Sequence, residues 1–282
     1  RAFERLMRTA LLQITAGDRP CANLPVALEM VRAAAAAGAG FVLTLEVTNC
    51  VSTSRSQQRA VLQTEDQDQT LTALCNLSRA LGIWLLVGSL ALKTRSADGR
   101  FVNRSFLIAP DGSICARYDK IHMFDVELSP EETYRESDGY CPGDRAVIAQ
   151  TPFGKLGMAI CYDVRFPDLY QALAQAGADI LTVPSAFSPV TGVAHWTALL
   201  QARAIETGCY VLAPSQCGTH HTQRGKARQT HGHSLAVSPW GEILCDTGLE
   251  PGIKYIDLDL KQVSYARRRV TSLRHQREFE GP

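Results

Sequence analysis

Apolar residues recur along the chain in two rhythms. Short continuous or alternating bursts at 6–14, 41–45, 84–90, 101–108, 156–161, 179–183, 210–214 and 235–237 predict buried or half-buried strands. Longer stretches at 24–37, 68–81, 169–176 and 196–207 predict helices. In 68–81, Leu71, Leu74, Leu77 and Leu81 repeat every three or four positions. Gly38, Gly82, Gly177 and Gly208 each follow such a stretch, where a residue free to turn left-handed ends a helix. Helices feed straight into strands in AAAAAGAGFVLTL, ALGIWLLVGSL and ALAQAGADILTVPS, which is layered α/β organisation. Turn sequences at Asp111–Gly112 and Pro239–Gly241 add antiparallel pairs. The polar stretch 119–143 reads as one long irregular loop, and loops of that length are often functional.

Composition narrows the classes. With 45% apolar and 20% charged residues over 282 positions, the chain has the balance of a globular enzyme and material for a large core. One domain spanning 1–282 is expected, since neither a linker nor an internal repeat interrupts it. A net charge of +1 gives no electrostatic reason to bind nucleic acid or an anionic membrane. No apolar run is long and unbroken enough to span a bilayer; 180–202 lacks charge but contains Pro184 and Pro189. The opening RAFERLMRTA lacks the apolar core of a secretory signal. Nine scattered cysteines, without a Cys-x-x-Cys pair, point to a reducing, cytoplasmic setting.

One of those cysteines stands apart. In KLGMAICYDVRFPDL an apolar strand runs into Cys161, and a helix begins near Asp168. A thiol at a strand-to-helix turn is presented at the sheet edge beside backbone N–H donors suited to an oxyanion. Its base is open on this reading: His122, His195, a carboxylate or a lysine all have suitable chemistry. Glu46 ends the apolar strand at 41–45, and Lys120 follows the strand at 114–118. His220, His221, His231 and His233 lie close together, but no acidic or cysteine ligand completes a familiar metal spacing. No metal or other cofactor is therefore expected, and a chelator-sensitive hydrolase built on that loop is the competing idea.

The three segments FVLTLE, RYDKIHMFD and GMAICYDVRFPDL, in that order, resemble the nitrilase superfamily of carbon–nitrogen hydrolases. The resemblance runs from about Leu6 to about Arg277, with Leu45 where the family usually has Pro. It implies a four-layer α-β-β-α sandwich of the nitrilase type. It also implies a Glu46, Lys120, Cys161 triad, with YRESDGYCPGD supplying the family's second acid as Glu136. Cys161 would then attack a carboxamide, giving an acid and ammonia through a thioester, with Lys120 and the Tyr162 N–H holding the oxyanion.

The stretch PSAFSPVTGVAHWTALLQARAIETGCYVLAPSQCGTHH is similar to the Nit half of Nit–Fhit proteins and to deaminated glutathione amidases. That likeness favours such a substrate over the 2-oxo acid amides of ω-amidases or N-carbamoyl amino acids. A non-catalytic scaffold of nitrilase type is the alternative outside enzymology, against which Glu46, Lys120 and Cys161 are all present. Arg165, Phe187, Thr191 and His195 are candidate pocket residues, and Arg224, Lys226 and Arg228 are loop cations able to attract an anionic ligand. A homodimer or larger assembly is expected, with a helix near 169–176 or the arginine-rich tail at about 264–282 against another subunit.

Overall fold

The computed structural model describes residues 6–95, 97–129 and 132–281. Two six-stranded sheets lie face to face between helices, the four-layer arrangement expected from the resemblance. In the first sheet the strands run in the order Gly252–Leu258, Met7–Gln13, Phe41–Leu43, Trp84–Lys93, Phe101–Ile108, Ile114–Asp119. In the second the order is Ile243–Asp246, Leu235–Val237, Tyr210–Ala213, Ile180–Thr182, Gly154–Met158, Val147–Thr151. Three neighbouring strands at the centre of each sheet are parallel, and antiparallel strands complete the edges.

Strand alternation explains the layering. Leu11, Leu43, Leu86 and Leu107 of the first sheet join one core with the second sheet, where Phe41 meets Phe153 at 5.0 Å between ring centroids. Their neighbours Ala10, Leu12, Val42, Leu85 and Val87 face the other way, into a core with Leu71, Leu74 and Leu77 of helix Gln69–Leu81. That helix starts where the Asp68 side chain accepts the Leu71 N–H, and ends at Gly82 with φ 64°. Helices Pro167–Gln175 and Pro189–Thr207 cover the second sheet.

Several elements differ from the sequence reading. The first helix begins earlier, at Pro20, where proline's missing N–H costs nothing. Helix Pro189–Thr207 likewise starts on a proline, seven residues before the predicted 196. The stretch 119–143 is not one irregular loop: Asp125–Ser129 pairs with Glu132–Arg135, and a 3-10 turn covers Glu136–Asp138. The histidine loop is also a hairpin, Cys217–His220 against Arg228–His231. The arginine-rich segment forms helix Leu260–Arg269, and Arg267 donates to the carbonyls of Thr207 and Ala178 within its own chain.

Candidate active site

Glu46, Lys120 and Cys161 come from three separate strand ends. The strand Phe41–Leu43 is central in its sheet, and the chain leaves it through buried Leu45 into Glu46. Ser89 N–H donates to the Leu45 carbonyl at 2.9 Å, and Val47 N–H donates to Ser89 Oγ at 2.8 Å. Gly88 permits this approach, because a Cβ there would lie 2.3 Å from the Thr44 carbonyl oxygen. Lys120 follows strand Ile114–Asp119 and keeps pairing, its N–H donating to Asn103 O at 3.0 Å. Cys161 stands just beyond strand Gly154–Met158, at the start of a 3-10 helix, with its N–H on Pro184 O at 3.0 Å.

The chain turns sharply at both ends. Val47 has φ 46° and Cys161 has φ 49°, the left-handed region that L side chains seldom occupy. Such strain persists where surrounding bonds over-determine the backbone. Beside Cys161 those bonds converge on buried Asp163. Its carboxylate accepts from the Ile160 N–H at 2.8 Å, Tyr118 OH at 2.7 Å and the His122 N–H at 3.0 Å.

The charged groups form a chain. Lys120 Nζ donates to Glu46 Oε1 at 3.0 Å and to Glu136 Oε2 at 2.9 Å. Glu46 accepts further bonds from Asn103 Nδ2 at 2.9 Å and from the Ala186 N–H at 2.8 Å. Glu136 also takes the Phe124 N–H at 2.6 Å, which ties the ammonium to the hairpin 125–135. Burial pushes the Glu46 carboxyl pKa up, but the charges of Lys120 and Arg228 outweigh it and hold the group below its ordinary range. Burial also works against the Lys120 ammonium; Glu136 and Glu46 overcome it and lift its pKa well above the usual value. The Cys161 thiol is raised by burial and then by the Glu46 charge, which Lys120 only partly offsets. A neutral thiol therefore rests beside an ionised carboxylate and an ammonium.

These groups open into a cavity of about 990 Å³, whose wall includes Glu46, Lys120, Glu136, Cys161, Tyr162 and Phe187. Arg165, Thr191 and His195 do not line it. Arg165 points at exposed His195, with Nη1 and Nη2 each 3.3 Å from its Nδ1. Thr191 is buried in the first turn of helix Pro189–Thr207. His122 is not in the cavity wall either: its Nδ1 meets Asp163 at 2.7 Å and its ring stacks on Phe166 at 3.6 Å. Of the clustered histidines, His220 is held by Ala16 O and Thr230 Oγ1, and burial lowers its pKa to about 4. Among the described residues no three His, Cys, Asp or Glu side chains are grouped to hold a metal ion.

Two wall residues carry more than the sequence reading gave them. Asn103 lies within the apolar strand Phe101–Ile108, and a buried amide in such a run was a signal that it binds something. Arg228 read as one of three loop cations. The hairpin instead turns it inward, where Nη2 donates to Ala186 O at 2.6 Å and the guanidinium lies 5.7 Å from the Tyr134 ring centroid.

A thiol, a carboxylate and an ammonium at the strand ends of a four-layer sandwich have the chemistry of a cysteine-type hydrolase site. The carbon-nitrogen hydrolase family model matches residues 8–268, and the chain belongs to that family, hydrolases of non-peptide C–N bonds. Deaminated glutathione amidase of Synechocystis sp. (strain PCC 6803 / GT-S) is 38% identical over 269 residues, covering 95% of this chain and 97% of that protein. The crystal structure of the C. elegans NitFhit protein superposes with a TM-score of 0.87 at 32% identity, over 96% of this chain; the chain spans 65% of that one. A mutant of the amidase from Nesterenkonia sp. AN1 superposes at 0.75 with 28% identity, over 97% of each chain. In it the acetamide moiety of fluoroacetamide is covalently added at the active site cysteine. Among the described residues no helix is long and apolar enough to cross a membrane.

Proposed function

We propose that this chain is an amidase that hydrolyses a small-molecule amide through a thioester on Cys161. The carrying observation is the Lys120 ammonium clamped between Glu46 and Glu136 in the wall of the cavity that holds the thiol. Glu46 takes the thiol proton as sulfur attacks the carbonyl carbon. The oxyanion is stabilised by Lys120 and by the Tyr162 N–H, which follows Cys161 at the turn. Collapse breaks the C–N bond, and Glu46 returns its proton to the departing nitrogen. A water, deprotonated by Glu46, then opens the thioester and frees the acid and the thiol. Glu136 orients Lys120 and is not itself a proton carrier.

For substrate we propose deaminated glutathione or a close 2-oxo amide, on the full-length similarity to an amidase of that name. The γ-linked amide of deaminated glutathione is secondary, so its leaving group is an amine; ammonia is the product only of primary amides. Phe187 is the apolar wall beside the thiol. Nine free cysteines, without a disulfide among the described residues, support a reducing cytoplasmic setting. We also propose a homo-oligomer that uses helix Pro167–Gln175 or the C-terminal tail, with the whole chain acting as one domain.

The test is acyl trapping. With deaminated glutathione, wild type quenched during turnover should carry an acyl group on the peptide containing Cys161, seen by mass spectrometry, while in Glu46→Gln turnover falls by roughly 10²–10⁴. Cys161→Ala should keep the fold and lose both adduct and turnover. Retained amidase activity in pure Cys161→Ala would refute the proposal.

A further inference from the structure

Two arginines of the cavity wall stand apart from its acids. Lys120 is spent on two carboxylates, at 3.0 Å and 2.9 Å. Four more cations line the wall, Arg55, Arg135, Lys226 and Arg228, together with the acids Glu132 and Asp138; yet neither Arg228 nor Arg55 is within ion-pair distance of a carboxylate among the described residues. Arg228 is held by one neutral acceptor, Ala186 O, and by the face of Tyr134; its Nε is buried without a partner. Arg55 donates to Gln58 Oε1 at 2.9 Å and lies 5.3 Å from the Tyr140 ring centroid. A guanidinium with an unused buried N–H is under-satisfied, and a planar carboxylate is the ligand its fork fits best.

The placement of Arg228 is specific. Its acceptor Ala186 is also the residue whose N–H binds Glu46 Oε2 at 2.8 Å, so arginine and general base share one backbone unit. Arg228 sits close enough for its charge to act on Glu46. Resting on the amidase reading above, we propose that Arg228 is a substrate-recognition residue that anchors a carboxylate of the amide, with Arg55 a further cation of that wall. The substrates are thus amides that carry a carboxylate close to the bond cleaved, and neutral amides of the same shape are discriminated against. A half-buried guanidinium left unpaired beside a neutral ligand disfavours that ligand twice, through the lost pair and the uncompensated charge.

Matched pairs test this. Glutaramate and its neutral isostere 4-nitrobutanamide place the carboxylate on the acyl half. N-butanoylglycine and N-butanoylglycinamide place it on the amine half. For each pair, the ratio of kcat/KM between the anionic and neutral members is compared in wild type, Arg228→Gln and Arg228→Lys. The ratio cancels any effect of Arg228 on Glu46, because both members use the same base. Wild type should favour the anion by roughly ten- to a hundred-fold in at least one pair. Arg228→Gln should bring that ratio near one, and Arg228→Lys should keep part of it. The pair that responds identifies which half of the substrate Arg228 reads. A wild type without anionic preference, or a ratio unchanged in Arg228→Gln, overturns the proposal. Absence of turnover on every probe and on deaminated glutathione would instead overturn the amidase reading.

Discussion

Asn103 donates through Nδ2 to Glu46 Oε1 at 2.9 Å, onto the same oxygen that receives Lys120 Nζ at 3.0 Å. Two donors on one oxygen fix the carboxylate's rotation, and a hydrogen bond to the charged form favours that form. Asn103 is a positioning residue in this reading. Asn103→Leu keeps the volume and removes the donor, so the Glu46 pKa rises and the acid limb of the kcat/KM profile moves to higher pH. The rate at the optimum should fall about tenfold. A lower rate with an unmoved acid limb would mean that Asn103 only supports the fold.

The pH profile of the wild type has its own signature. The resting thiol is protonated because burial and then the Glu46 charge raise its pKa, while the base is ionised below its ordinary value of 4.5. Activity should therefore hold as pH falls from neutral and decline only below that value, as Glu46 takes a proton. Were Cys161 instead required as a preformed thiolate, kcat/KM would climb with pH through the ordinary thiol range. Rates on an uncharged amide between pH 4 and 9 separate the two cases.

Removing Lys120 strands two acids. Lys120, Glu46 and Glu136 have side chains only 2%, 5% and 15% exposed, so water compensates little. Lys120→Met should cost about 3–5 kcal/mol of stability at neutral pH. The rate should fall on the order of 10²–10³ if the ammonium is an oxyanion donor. The sign of the pH dependence is informative. In wild type the depressed Glu46 pKa gives stability that is present above 4.5 and lost as pH falls below it. Without Lys120 the carboxyl pKa rises, and protonation relieves the variant, so the gap between variant and wild type should narrow from pH 7 to pH 5. Urea unfolding at both pH values checks this; a gap that widens would mean the ion chain is not the cause.

Glu46 and Cys161 were legible because each ends a strongly apolar strand, whereas Lys120 follows the half-polar strand ICARYD and was singled out by the resemblance of RYDKIHMFD. The structure gathers all three at one cavity. The walls were not legible. The hairpin Asp125–Ser129 and Glu132–Arg135 has no buried residue, so it offers no alternation of core and surface positions. Hairpin Cys217–His220 with Arg228–His231 is short and polar, and nothing local distinguishes Arg228, which turns inward, from exposed Arg224. Arg165 is close to Cys161 in sequence, and the 3-10 turn between them carries it towards His195, outside the cavity wall. Helix Pro189–Thr207 was half seen because its first turn, PVTG, lacks helical composition and is started by proline geometry.

Backbone strain at the thiol gives the last prediction. Cys161 has φ 49°, where an L residue costs about 1–2 kcal/mol and glycine costs nothing. Cys161→Ala and Cys161→Gly both remove the buried sulfur, so they lose nearly the same packing and neither can turn over substrate. They differ in Cβ alone. At an ordinary helical or extended position the glycine variant would be the weaker by about 0.5–1 kcal/mol, through its greater unfolded-chain entropy. Here the relief of the left-handed conformation opposes that entropy, and Cys161→Gly should be at least as stable as Cys161→Ala. Urea unfolding of the two variants side by side decides it. A glycine variant clearly less stable than the alanine one would mean the turn carries no strain at Cys161. The opposite result would show that the fold accepts a local cost to stand the thiol at the head of its 3-10 turn, inside the cavity with Glu46 and Lys120.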